Sequence, residues 1–226
     1  PEQVIDGFRY FGYQPGEGSD HAEMARDHTR VFLEVIQGQG FAEPNPRPMF
    51  PNPPGLLPIE PHSPGLRDRI WWGAGSRKTA VWTAEQGLNL MSSTLLTEDT
   101  GVPFHQLQAE QIQMFRDAWA AAGHEREPRV SVSRSIFPLV SDLDRAYFGH
   151  DRNSSDQVGH IDGGLARFGK SYAGEPDQLV KELAEDEAIA AADTLLLTVP
   201  NQLGVDYNAH VLDSVLRHLA PELGWR

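Results

Sequence analysis

The stretch Ile70-Trp-Trp-Gly-Ala-Gly-Ser-Arg-Lys-Thr-Ala-Val-Trp-Thr-Ala-Glu-Gln-Gly-Leu-Asn-Leu-Met-Ser-Ser93 changes period twice. A short apolar run ends in Gly73-Ala74-Gly75. Thr79, Trp82, Thr83 and Gln86 then recur at helical spacing, and Leu88-Asn-Leu-Met91 is a second short run. The order is strand, helix, strand. Trp71 and Trp72 occupy adjacent strand positions, so one should face the inner side of the sheet and the other the helix layer, where core packing suits them better than cofactor stacking.

The rhythm continues downstream. Helical spacing near 104–122 (Leu107, Gln111, Phe115, Trp119, Ala122) precedes a strand near 129–139. A helix near 176–191 follows, with Pro176 suited to the first helical position. Thr194-Leu-Leu-Leu-Thr-Val199 reads as a buried strand. A last helix near 206–220 would put Leu212, Val215, Leu216 and Leu219 on one face, with Pro221 as its stop. Four strands alternating with helices predict a parallel α/β sheet with right-handed crossovers, and four parallel strands are half a barrel.

Upstream, Asp20 and Glu23 have capping-box spacing, and Ala25, Thr29, Phe32, Leu33 and Ile36 predict a helix over about 20–37, ending at Gly38. Residues 42–68 hold most of the prolines, which block both helix interior and central strand. This Pro-rich excursion should run over the surface and either cover a site or wrap a neighbour. Residues 142–172, with Gly163-Gly164 and Gly169, interrupt the alternation as an insertion, and Asp162-Gly163-Gly164 reads as a turn. The chain opens Pro1-Glu2-Gln3-Val4 with no strand pattern before the first helix, as though it starts mid-domain; residues 1–226 are expected to form a single domain.

Composition narrows the function classes. With 226 residues, 39% hydrophobic, the chain can bury a sizeable core, while a net charge of −13 makes nucleic acid and anionic membrane surfaces poor partners. No apolar run approaches the roughly 20 residues of a membrane span, and no signal-peptide pattern opens the chain, so a cytoplasmic location is the expectation. The absence of cysteine excludes disulfides, thiolate metal sites and cysteine nucleophiles. The nine histidines, including His21 and His28 on the first helix, form no metal-ligand spacing, and no metal is expected. The acidic run from Glu182 to Glu187, with Asp186 inside it, reads most simply as the solvated face of a helix.

The chemistry concentrates where the strand ending in Gly73-Ala74-Gly75 meets the helix at Ser76. Unpaired N–H groups and the positive end of the helix dipole converge there, glycines admit a ligand to the main chain, and Ser76 and Thr79 offer hydroxyls. Arg77 and Lys78 add positive charge to an acidic chain. An anion, with phosphate as the natural candidate, suits the spot. Spacing alone favours the plainer reading, Ser76 as an ordinary N-cap, because serine-capped strand-to-helix turns are common.

The same stretch, from Ile70 to Ser93, resembles the bacterial luciferase family at its strand, phosphate loop, helix and next strand. Gly174-Glu175-Pro176, Thr194-Leu-Leu-Leu, Pro200-Asn-Gln-Leu-Gly-Val-Asp206 and Ala220-Pro221-Glu222-Leu223-Gly224-Trp225 resemble that family's last barrel unit and closing helix. The likeness runs over roughly 10–226. It implies the C-terminal half, about four βα units, of a (β/α)8 barrel, with the first four strands and the family's catalytic groups lying outside this chain. It also implies that Ala74, Gly75, Ser76, Arg77 and Thr79 bind the phosphate of FMN, with Met91, Ser92 and Ser93 beside the flavin ring. Trp82 and Gly87-Leu88 fall on the family's helix and following turn. At Arg77 and Lys78 some family members carry small residues, so these two side chains either contact the phosphate or face solvent.

The activity implied is that of a flavin-dependent monooxygenase or related oxidoreductase. Reduced FMN, supplied from elsewhere with a flavin reductase as candidate partner, would react with oxygen and a small organic substrate. The alternatives are a hydride-transfer oxidoreductase using the deazaflavin F420 and a flavin-binding protein without turnover. A homodimer is a family-level expectation.

Overall fold

The computed structural model describes residues 21–98, 100–150, 155–161 and 164–225; the expected cap Asp20, the opening Pro1 to Val4 and the Asp162-Gly163 turn lie outside the described residues. The chain divides into two compact units between Ile70 and Trp71.

In the first unit, α1 (His21–Val35) follows the predicted helical spacing, with Leu33 and Val35 buried and Phe32 exposed. The proline-rich segment folds back on itself. Ala42 and Leu57 form an antiparallel bridge in which the Leu57 N–H donates to the Ala42 carbonyl at 2.8 Å. Asn45 closes the loop between them, accepting the Arg47 N–H at 2.9 Å on its side chain and Asn52 Nδ2 at 2.8 Å on its carbonyl. Prolines remove donors from this stretch, so side-chain amides complete its hydrogen bonding.

The second unit begins with β1 (Trp71–Ala74), α2 (Arg77–Glu85), β2 (Asn89–Ser92), β3 (Leu95–Leu96), α3 (Phe104–Ala122), β4 (Val130–Arg134) and β5 (Ile136–Pro138). It continues with α4 (Asp142–Phe148), β6 (Gln157–Ile161), β7 (Gly164–Phe168), β8 (Tyr172–Gly174), α5 (Pro176–Ala184), α6 (Glu187–Ala191), β9 (Thr194–Leu197) and α7 (Gly204–His218). The expected parallel sheet is present. Its order is β1-β2-β4-β9, every neighbouring pair is parallel, and one row aligns Gly73, Met91, Ser131 and Thr194.

Strand alternation sends Ala74, Leu90, Val130 and Val132 to the face that packs on Ala80 and Ala84 of α2, on Ile112, Phe115 and Trp119 of α3, and on Ala188 of α6. Helices α2, α3 and α6 therefore share one face. Trp72 meets Trp82 on that face at 5.0 Å between ring centroids, while the Trp71 ring lies under the Arg129 guanidinium, so the two tryptophans separate as strand geometry predicts. A second cluster of Ile136, Tyr172, Leu179, Leu183, Val215 and Leu219 joins β5, β8, α5 and α7. The longest helix among the described residues, α3, has the predicted span; Pro103 precedes it, and Gly123 stops it with φ +72°, a left-handed geometry that glycine adopts without strain.

Three expectations need correction. The strand predicted over 129–139 is two strands, because at Ser135 the chain leaves β9 as partner and β5 pairs with β8. The helix predicted over 176–191 breaks at Glu185-Asp186, where Asp186 turns inward and caps α6. In α7 the buried positions are Val211, Ser214 and Val215, with Leu219 at the C-cap, whereas Leu212 and Leu216 are exposed. A serine on the inner face shifts the apparent apolar phase by one residue. The insertion over residues 142–172, whose structure the sequence pattern did not give, holds α4 and the β6–β7 hairpin and ends where β8 begins; β7 also pairs antiparallel with β3. Gly169 returns the chain from that hairpin; a Cβ there would lie 2.6 Å from the Phe104 ring.

Candidate functional site

At the carboxyl end of β1 the chain passes through Gly75 into α2, with Ser76 as N-cap in an extended conformation. Ser76 Oγ accepts the Thr79 N–H at 3.2 Å and lies 3.0 Å from Thr79 Oγ1. The two hydroxyls expected to bind an anion are therefore adjacent, and Ser76 is also the ordinary cap. A Cβ placed on Gly73 would meet no atom within 4 Å, so the main chain at the strand end is open to approach.

Arg77 is already engaged. Its backbone N–H donates to Glu98 Oε1 at 3.2 Å, its Nε to Glu98 Oε2 at 2.6 Å, and its Nη1 to Glu110 Oε2 at 3.2 Å. Thr97 closes the same corner, donating from its N–H to the Gly75 carbonyl at 2.7 Å and from its hydroxyl at 3.0 Å. A carboxylate thus sits at the N-terminus of α2, where the helix dipole and the guanidinium both favour negative charge. Lys78 is exposed.

Beneath the loop, two buried glutamines of α3 tie the strand ends together. Gln111 Nε2 donates to the Ala74 carbonyl at 3.1 Å and the Ser76 carbonyl at 3.0 Å, while Ser92 Oγ donates to Gln111 Oε1 at 2.5 Å. Gln108 Nε2 reaches Ser92 Oγ at 2.9 Å and the Ser93 carbonyl at 2.6 Å. Ala74 and Ser92 accordingly point into the helix-covered layer. Met91 points to the opposite face of the sheet, in the row of Gly73. The geometry brings Gly75, Ser76, Arg77 and Thr79 together and separates Ser92 from Met91. Sequence spacing had placed Gln111 on the buried helix face, but not its role as a clamp on both strand ends.

Two further polar clusters belong to this unit. Asp186, in the acidic run read as solvated, is buried: it is 1% exposed and Arg134 is 3% exposed. Arg134 donates to both its oxygens at 2.7 and 2.9 Å, and Tyr172 OH donates at 2.7 Å. Burial alone would raise the Asp186 pKa, but the hydrogen bonds and charge of Arg134, the Tyr172 hydroxyl and the Ile189 N–H outweigh it and hold the carboxyl below its ordinary range. Burial, with the Asp186 charge, pushes Tyr172 upward. This cluster borders a cavity of about 190 Å³ that also touches His105, Asp156 and Lys170.

The second cluster centres on Asp144, which completes a capping box with Ser141 at the start of α4. It accepts Tyr207 OH at 2.6 Å and faces His210 Nε2 at 2.9 Å, both from α7. Burial would raise its pKa, and hydrogen bonds from Tyr207, Ser141 and His210 hold it down instead. Among the described residues no group of three or more His, Asp or Glu side chains could hold a metal ion, and no helix is long and apolar enough to cross a membrane.

Both carboxyls have folded pKa values below their unfolded ones. The stability they contribute is present above about pH 4, the unfolded Asp value, and is lost as pH falls through the folded values. The thermal midpoint should hold from pH 7 to about 5 and drop below about pH 4. A midpoint that rises on acidification to pH 3 would contradict the assignment of these two charges.

No family model matches the sequence, and no curated protein matches it either. Among solved structures, the chain is similar to the crystal structure of the monooxygenase RslO1 from Streptomyces bottropensis, with a TM-score of 0.57 and 14% identity. The likeness covers 96% of this chain and 65% of that one, so the chain spans slightly less than two thirds of the monooxygenase's length. At that identity the likeness is one of fold.

Proposed function

We propose that the protein is a flavin-dependent oxidoreductase of luciferase-like type, a monooxygenase that uses reduced FMN and oxygen on a small organic substrate. Its larger unit would form about four βα units of a (β/α)8 barrel. The observation that carries this reading is the glycine-ended strand running into the paired Ser76 and Thr79 hydroxyls, at the carboxyl end of a parallel sheet. Ligands of such sheets bind at that end. Strand order that follows chain order, with α2, α3 and α6 on one face, suits an arc of a barrel better than a doubly wound sheet, whose helices cover both faces. The fold likeness to a monooxygenase supports the same class.

The residues present fit a phosphate. The carboxylate of Glu98 at the Arg77 N–H stands in for an anion, and Ser76 and Thr79 hold hydroxyls beside it. These groups would bind the FMN phosphate, with Arg77 exchanging Glu98 for the ligand. Gln111 would keep the strand ends and loop in register, and Met91 would border the ring. When bound, the reduced flavin supplies the electrons for oxygen activation.

Fluorescence titration of the protein with FMN and with riboflavin tests the reading. FMN should bind at least about tenfold more tightly, the equivalent of one charged hydrogen bond to phosphate. Equal affinities would remove the phosphate from this loop. Binding of F420 without FMN would replace oxygen chemistry by hydride transfer, and binding of neither would overturn the cofactor assignment.

A further inference from the structure

The cavity of about 190 Å³ lies where the first turn of α3, the end of β4, the start of β8 and the cap of α6 meet. Arg134, the last residue of β4, points like Val130 and Val132 to the helix-covered side of the sheet. It is 3% exposed, and three of its five N–H donors are answered: two by Asp186, at 2.7 and 2.9 Å, and one by the Ser133 carbonyl at 2.9 Å. Even with the Tyr172 hydroxyl oxygen as a fourth partner, one N–H is left without an acceptor among the described residues. Buried donors are seldom left so, and Arg134 borders the cavity, so the missing acceptor belongs there.

The neighbouring groups add donors more than acceptors. Lys170 Nζ donates one of its three N–H groups to Glu182 at 2.9 Å and lies 4.5 Å from the Tyr172 ring centre. His105 Nδ1 accepts the Glu187 N–H at 3.4 Å, which leaves Nε2 as the donating nitrogen of the neutral ring. Both carboxylates are engaged already. Asp186 accepts from Arg134, Tyr172 and the N–H groups of Ala188 and Ile189, and Asp156 accepts the N–H groups of Phe104 at 2.6 Å and Lys170 at 3.2 Å.

We propose that this cavity binds a small monocarboxylate, its oxygens on Arg134 and Lys170 and its short hydrocarbon part against Phe104 and Pro103. The free hydrogen-bonding capacity is mostly donor and two of the donors are cationic, which matches a carboxylate better than a neutral carbonyl. Charge sets the valence. Arg134 and Lys170 bring two positive charges against the carboxylates of Asp156, Asp186 and, at Lys170, Glu182, so one added negative charge is the most the cavity holds and a phosphate dianion would be repelled. The site is separate from the Ser76–Thr79 loop. That loop follows β1, whereas Arg134 ends β4, two places along the sheet, or about 10 Å at strand spacing. The walls all come from the second unit, and Arg134 stands on the helix-covered face of an inner strand. Strands that extended the sheet beyond β1 or β9 would leave them unchanged.

Calorimetric titration and thermal melting with sodium propionate, at an ionic strength held constant with chloride, test the site. Propionate should bind with a dissociation constant on the order of 0.1–1 mM and raise the thermal midpoint by about 5 °C at about a hundredfold excess over that constant. Propionamide, similar in shape but uncharged, should bind at least about tenfold more weakly. Lys170→Met, which keeps the stem on the Tyr172 ring, should weaken propionate by at least about tenfold, and Lys170→Arg, which restores the charge, should recover most of the affinity. Ser76→Ala with Thr79→Ala should leave propionate binding unchanged. Equal binding of propionate and propionamide, wild-type affinity in Lys170→Met, or loss of binding in the loop variant would overturn the proposal. A Lys170→Arg variant as weak as Lys170→Met would do the same, by assigning the loss to packing. Tighter binding of inorganic phosphate would sink the monocarboxylate, and a response confined to propionate above about 100 mM would mean an adventitious ion only.

Discussion

Replacing Asp186 by alanine is expected to destabilise the protein by about 3–5 kcal/mol, the usual consequence of stranding one partner of a buried ion pair. Three losses coincide at this carboxylate. The Arg134 guanidinium would keep its charge with almost no access to water, the Tyr172 hydroxyl would lose its acceptor, and α6 would lose the side chain that accepts the Ala188 and Ile189 N–H groups at 3.0 Å each. The cap alone accounts for about 1 kcal/mol of the total. Urea unfolding should show a lower midpoint at an unchanged slope. Removing both charges, with Arg134→Met and Asp186→Leu, should recover a large part of the loss, because no unpaired charge then remains buried. A single-variant loss below about 1 kcal/mol would mean that water reaches the pair.

Ser76→Ala combined with Thr79→Ala is expected to weaken FMN binding by about ten- to hundredfold for each charged hydrogen bond lost, or about 1–3 kcal/mol each. The two single effects should not add, because the hydroxyls lie 3.0 Å apart and Ser76 also caps the helix. Thermal melting of each variant separates the cap loss, about 1 kcal/mol, from the loss of ligand. Glu98→Gln should act in the opposite direction: with its charge gone from the Arg77 N–H and guanidinium, a phosphate meets less competition and FMN binds more tightly. Unchanged FMN affinity in the double variant would remove the ligand from this loop.

The parts of the fold that sequence reading anticipated carry their own local signals. Helix α3 is bounded by Pro103 and Gly123 and repeats Leu107, Gln111, Phe115 and Trp119 on one face, so its limits need no knowledge of the rest of the chain. The apolar runs behind β1, β2, β4 and β9 are similarly self-contained, and their alternation with helices implies the parallel order observed. The serine cap of α2 was visible for the same reason. By contrast, the β6–β7 hairpin has an exposed, weakly patterned sequence whose partner, β3, is only two residues long.

Sequence by itself determined an acidic, cysteine-free α/β chain with a glycine-ended strand feeding a serine-capped helix, because composition, period and caps are properties of neighbouring residues. Only the tertiary structure decided which polar groups are buried and what answers them. Asp186 lies 52 residues from Arg134, Glu98 lies 21 from Arg77, and Gln111 lies 35 from the Ser76 carbonyl it clamps. An aspartate in an acidic run reads as solvated until a distant arginine is known to face it, because burial of a charge depends on the partner that compensates it and not on the charge's neighbours in sequence.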